Sequence, residues 1–127
     1  MKKKKLLIHS NHCRAFTGFG KHTKNILIHL HKTGKYDIVE FSNGIHWGDQ
    51  SLKNFPWKCE GSLPNDQALL QELNKDPNLA RQAHYGGQTI DKIIEQEKPD
   101  LYLGIEDIWA FNGYTDRKWW NKLWSNN

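Results

Sequence analysis

The sequence predicts an α/β domain: a parallel sheet with helices on its faces. Three observations carry this. The apolar stretches Leu6–Ile8, Tyr36–Phe41 and Leu101–Ile105 suit strands covered on both sides. Segments with helical apolar spacing lie between them. The two kinds alternate along the chain, the arrangement produced by right-handed crossovers between parallel strands.

Leu6-Leu7-Ile8 is the first strand, and the polar, glycine-bearing stretch Ser10–Gly20 is a loop. From Phe19 onward, Phe19, Ile26, Leu27 and Leu30 recur at helical spacing with Thr23 among them, while Lys21, Lys24, His31 and Lys32 cover the other side. Gly34 suits the left-handed residue that ends such a helix. Tyr36–Phe41 is the second strand. Ser42–Asp66 reads as a long irregular segment holding Trp47, Pro56, Trp57 and Pro64. A loop that long in a compact domain is functional or contains a short hidden element. Asp66 is placed to cap a short helix carrying Leu69, Leu70 and Leu73. Gln88–Glu97 follows as a helix with Ile90, Ile93 and Ile94 inward, closed by Pro99. Leu101–Ile105 is the third strand, and Thr115 caps a final helix with Trp119, Trp120, Leu123 and Trp124 on one side.

A chain of 127 residues supports one domain with a modest core. Its 37% hydrophobic and 25% charged residues are globular proportions, while a mean hydropathy of −0.81 keeps the core small. The formal charge is +4, but Lys2–Lys5 accounts for it: outside that run 14 basic residues face 14 acidic ones. The run reads as solubilising charge on the first strand, and no footprint for nucleic acid or another anionic polymer remains. Cys13 and Cys59 belong to no CxxC pair. Only three apolar residues separate the lysine run from His9, too few for a signal peptide, and no stretch is long enough to span a bilayer. The expectation is a cytoplasmic chain with reduced thiols.

Thr17-Gly18-Phe19-Gly20 lies between a buried strand and a helix, where ligands of such folds gather. Gly18 and Gly20 would let a phosphate or sugar approach the backbone, and Lys21 adds positive charge at the helix N-terminus. The alternative is a tight turn needing glycine for geometry alone. Two sharper motifs are excluded. Gly18 and Gly20 are too close for a Walker A loop, and Lys21 precedes His22 rather than Ser or Thr. A dinucleotide fingerprint would have a small residue where Thr23 stands, although Glu40 lies where a ribose-binding acid is expected and keeps a nicotinamide oxidoreductase as a lesser reading. Asn11, His12 and Phe19 are expected to line the cleft after the first strand. His9, His12, Cys13 and His22 match no zinc spacing, so no metal is expected. Glu106 and Asp107, at the end of the third strand, are candidates for binding sugar hydroxyls or acting as a base; alternatively Asp107 caps a helical turn. Trp47 and Trp109 suit stacking on a sugar face or core packing equally well.

Two blocks resemble the GT-B glycosyltransferases, in particular the large retaining group known as glycosyl transferases group 1. One is TGFGKHTKNILIHLHKTGKYDIV, Thr17–Val39: a glycine loop, then a helix ending in a Leu-x-x-x-Gly-like turn before a strand. The other is IDKIIEQEKPDLYLGIEDIW, Ile90–Trp109: a helix running into Lys-Pro-Asp and a hydrophobic strand. The resemblance implies a Rossmann-like three-layer domain over 1–127 that forms the acceptor side of a sugar-transfer site. Gly18, Gly20 and Lys21 would lie beside the phosphate of a nucleotide-sugar co-substrate, with no tightly bound cofactor. The family's cleft histidine has no counterpart near Glu106 and Asp107. The donor-binding domain with its E-x7-E segment is absent, so this chain by itself is expected to be inactive. Its partners would be the nucleotide sugar, a glycan or other acceptor, and a separate C-terminal half or a second copy docked on the Trp-rich C-terminus. A non-catalytic module binding carbohydrate or protein is the alternative.

Overall fold

The first strand, β1 (Lys4–Asn11), occupies the middle of the sheet, as its two-sided apolar run demands. The computed structural model describes residues 3–106, 110 and 114–120, the side chain of Thr115 excepted. β1 pairs in parallel with β2 (Tyr36–His46) on one side and β4 (Leu101–Ile105) on the other, and β2 pairs in parallel with β3 (Lys58–Leu63). The order is β3-β2-β1-β4, with the three sequence-predicted strands adjacent and the first between the other two.

The pleat sorts the apolar run into two cores. Leu6 and Ile8, with Ile38, meet Leu27 of α1 (Gly18–Thr33) and Cys13 on one face. Leu7, with Val39 and Phe41, meets Ile90, Ile93 and Ile94 of α4 (Ile90–Glu97) and Tyr114 on the other. The result is a three-layer α/β domain. α1 starts where Thr17 accepts a hydrogen bond from the Gly20 N–H, and ends at Gly34 with φ of 66°. Trp119 and Trp120 fold back on the α4-side core; Leu123 and Trp124 lie outside the described residues.

The segment between Ser42 and Asp66 is not a plain loop. β2 runs on to His46, and the hidden element is the strand β3. KCEGSL has one Leu and no apolar alternation, so the neighbouring strand defines it rather than its own pattern. Gly61 is essential there, because a Cβ would lie 2.3 Å from both the Ile45 and His46 carbonyl oxygens. Asp66 caps α2 (Gln67–Asn74) as expected, accepting from Ala68 and Leu69 N–H. A second helix, α3 (Pro77–His84), follows with Asp76 as its cap and Pro77 in the first turn.

Lys5, expected as solubilising charge, is a tie at the amino end of the sheet. Its N–H donates to Asp100 and its ammonium to Glu97 at 3.3 Å. Lys58 Nζ reaches the second Glu97 oxygen at 2.5 Å.

Candidate functional site

A ligand crevice in an open parallel sheet forms where the chain leaves one strand in one direction and its neighbour in the other. Here that switch lies between β1 and β4: the chain proceeds from β1 to β2 and β3, then returns to the opposite side of β1. Ser10 and Ile105 are partners in the ladder, and the Ser10 hydroxyl donates to the Ile105 carbonyl at 2.9 Å. Asn11 and Glu106 are the next residues on the two strands, so they flank the carboxyl-end opening.

On the β1 side, Asn11 Nδ2 donates to Thr17 Oγ1 at 3.1 Å, and the same oxygen accepts from Gly20 N–H at 3.0 Å. Asn11 thereby fixes the residue that starts α1. The N–H groups of Gly18 and Phe19 lie in the first turn, outside the helical ladder. No acidic residue occupies that turn, and Lys21 is exposed beside it. The two glycines differ. A Cβ on Gly20 would sit 2.5 Å from the Ala15 carbonyl oxygen, so Gly20 permits close packing of the loop. A Cβ on Gly18 would meet nothing within 4 Å. Phe16, at the loop tip, is 97% exposed.

On the β4 side, a buried chain of hydrogen bonds ends at Glu106. His9 is fully buried on the α4 face, between the rings of Phe41 and Tyr114. Its Nδ1 lies 2.6 Å from the Tyr102 hydroxyl and its Nε2 2.9 Å from Asn43 Oδ1. Asn43 Nδ2 donates to Glu106 Oε1 at 3.0 Å. Burial pushes His9 down to about 4, against the hydrogen bonds that the ring makes to Asn43 and the Tyr85 backbone, so the ring is neutral near pH 7. Burial likewise holds the Tyr102 hydroxyl well above its usual range, keeping it a donor. The network then assigns one direction: Tyr102 O–H to His9 Nδ1, His9 Nε2–H to Asn43, Asn43 amide to Glu106. A carboxylate held this way keeps a fixed rotamer and offers acceptor capacity to a ligand hydroxyl.

Asn11, Gly18, Phe19, Gly20 and Lys21 thus lie at the carboxyl end of β1 and in the turn after it, and Glu106 directly follows the neighbouring β4. Asp107 and Trp109 lie outside the described residues. Trp47 is engaged inside the domain, packed on the α4-side core with Lys92 Nζ 4.2 Å from its ring centre. His12 does not line the opening. It is 2% exposed, its ring lies edge-on to Phe55, and its Nε2 is 3.6 Å from Glu40 Oε1. β1 ends at Asn11, and the chain beyond it turns so that His12 and Cys13 both tuck under the loop on the α1 face, held by the Cys13 N–H bond to Glu40. Glu40 is likewise buried, at 1% exposed, rather than presented to a ribose. Of the histidines weighed as ligands, His9 faces the opposite side and His22 is exposed on α1. Only His12 and Cys13 come together, joined by Glu40, with ligating atoms within 4.8 Å of one another. Asn43 and Tyr102, which hold the crevice carboxylate through His9, carry no motif. The one signal for them in the sequence is a histidine closing an apolar run, a polar ring that a buried strand must provide with partners. Compared with protein-family models, with curated proteins and with solved structures, the chain matches none.

Proposed function

We propose that this domain is the acceptor-side wall of a GT-B-type glycosyltransferase site, working with a nucleotide-sugar co-substrate. One observation carries the reading: a glycine turn opening a helix N-terminus and a braced carboxylate stand on the two sides of the sheet's topological switch. The α1 N-terminus and Lys21 provide positive potential for the donor's phosphate. Glu106 accepts a hydrogen bond from an acceptor hydroxyl and orients it. Transfer requires both substrates held in near-attack geometry, and one wall does not supply that. The readout for this chain alone is therefore binding.

The test is calorimetric titration of the chain with a panel of nucleotide sugars and free oligosaccharides, for the native sequence, Gly18→Asp and Glu106→Gln. Gly18→Asp adds a side chain in open space and a favourable charge at a helix N-terminus, so the fold should tolerate it. It should nevertheless weaken nucleotide-sugar binding at least tenfold by repelling the phosphate, and Glu106→Gln should weaken acceptor binding. Binding indifferent to both substitutions would refute the assignment. The exposed Phe16 ring beside the opening favours a second reading, a non-catalytic carbohydrate-binding module. Oligosaccharide binding with no response to nucleotide sugars would select it.

A further inference from the structure

On the α1 face of the sheet, below the loop that follows β1, five groups converge on one buried carboxylate. Glu40 Oε2 accepts the Cys13 N–H at 2.8 Å, and Oε1 accepts the Trp57 indole N–H at 2.9 Å. Around Oε1 stand Cys13 Sγ at 3.4 Å, Cys59 Sγ at 3.5 Å and His12 Nε2 at 3.6 Å. Among the described residues, His12 Nε2 and Ser42 Oγ are the buried side-chain polar atoms with no hydrogen-bond partner, an expensive omission for the imidazole. Its nearest polar neighbour is the Glu40 oxygen, so the nitrogen points into the cluster.

We propose that His12, Cys13 and Glu40, whose ligating atoms lie within 4.8 Å of one another, bind Zn²⁺, and that Cys59, with its Sγ 3.5 Å from Glu40 Oε1, swings in as the fourth ligand. The chemistry fits, since thiolate, imidazole and carboxylate are the ligands this ion takes in tetrahedral sites. The spacing fits as well. Zn–S bonds of about 2.3 Å and Zn–N or Zn–O bonds of about 2.0–2.1 Å put tetrahedral S···O corners about 3.5 Å apart and N···O corners about 3.3 Å apart. The observed 3.4 and 3.6 Å from Glu40 Oε1 to Cys13 Sγ and His12 Nε2 match those corners, while Cys59 Sγ, 3.5 Å from the same oxygen, must shift toward the other two to close the shell. Four protein ligands make the site closed and structural. It would staple the loop bearing His12 and Cys13 to β2 and β3, and so steady the base of the crevice.

Loading is an acid–base exchange without electron transfer. Two thiol protons pass to solvent as two Zn–S bonds form, and the Glu40 and His12 lone pairs complete the shell. His12 Nδ1 now accepts the Arg14 N–H at 3.1 Å, which places the ring proton on Nε2. When Nε2 takes the metal, that proton must move to Nδ1 and the Arg14 contact must open. Backbone signals around Arg14 should therefore shift on binding.

The experiment is titration of chelator-treated, thiol-reduced full chain with Zn²⁺ against a chromophoric chelator, and with Co²⁺ by absorption. We expect one ion per chain, a thiolate-to-cobalt charge-transfer band with intense tetrahedral d–d bands, and a rise in the unfolding temperature. Cys59→Ser and Cys13→Ser should each weaken binding at least 100-fold, and His12→Gln at least tenfold. Circular dichroism on each variant separates lost ligation from lost folding. His22→Gln, on the exposed surface of α1, should bind like the native chain. Absence of the cobalt bands in a folded chain would overturn the site. So would full affinity in a folded Cys13→Ser or Cys59→Ser variant.

Discussion

Glu97 and Glu40 are both buried, at 6% and 1% exposure, but they have different company. Glu97 receives two ammonium groups, from Lys5 and Lys58, and an amide N–H from Gln96. Burial pushes its carboxyl up, but the hydrogen bonds from Gln96 and Lys58 and the lysine charges outweigh that and hold it below the usual range. Glu40 has no Lys or Arg within ion-pair distance among the described residues; its neighbours are two thiols, an indole, a backbone N–H and a neutral-leaning imidazole. The amino end of the sheet thus compensates a buried charge with permanent cations that nothing can displace. The α1 face surrounds one with protons that a metal ion can displace. Full burial of a carboxylate says little about its purpose; the exchangeability of its donors says more.

The comparison can be broken by substitution. Glu40→Ala orphans the buried Cys13 N–H and the part-buried Trp57 indole N–H, each worth about 1–3 kcal/mol, so we expect a loss of about 4 kcal/mol in urea unfolding. Glu97→Ala leaves two lysines whose side chains are 29% and 54% exposed and can turn to solvent, so the loss should be about 2 kcal/mol. A larger loss at Glu97 would invert the ranking argued here.

Acid separates the two ends of the sheet further. His9 has a folded pKa near 4 against an ordinary 6.5, so between those values the unfolded chain binds more protons. Stability should fall as pH drops through that window, by about 2 kcal/mol between pH 7.5 and pH 5. His9→Gln should flatten that stretch of the curve. Glu97 has the same sign in a lower window: its contribution is complete above the usual carboxylate range and is lost as pH falls through its lowered pKa. A chain that holds its stability to pH 5 would contradict the buried neutral imidazole. The smallest effects belong to the glycine turn. Gly20→Ala should cost about 1–3 kcal/mol through collision with the Ala15 carbonyl, while Gly18→Ala should be neutral or stabilise by at most about 1 kcal/mol. Equal losses at the two positions would refute the division between a packing glycine and an open one.

Much of this architecture is legible in the sequence. Leu6–Ile8, Ile38–Phe41 and Leu101–Ile105 announce buried strands because both faces need apolar side chains, and Gly34, Asp66 and Pro99 punctuate the helices by simple backbone chemistry. β3 was not legible, since Lys58–Leu63 gains its identity from the ladder to β2. The cluster around Glu40 was hidden for the same reason. Cys59 faces Glu40 only through the β2–β3 register, so no spacing along the chain could unite them. That Asn11 and Glu106 follow neighbouring strand ends was readable, because the apolar runs before them mark adjacent parallel strands. His12 was misplaced because the turn after β1, fixed by the Cys13 N–H bond to buried Glu40, carries it under the loop rather than to the cleft.

The central position of β1 has a consequence for biosynthesis. Its partner on one side, β2, is complete by His46, but the partner on the other side is not made until Ile105. At roughly 5–20 residues per second, the ribosome needs several seconds to add the intervening stretch. Throughout that interval one edge of β1 lacks its ladder and Leu6, Leu7 and Ile8 lack part of their cover, the kind of surface that recruits chaperones or pairs with another nascent chain. The strand that anchors the finished sheet is therefore its most vulnerable segment during synthesis, and the lysines that precede it place like charges where two such edges would otherwise meet.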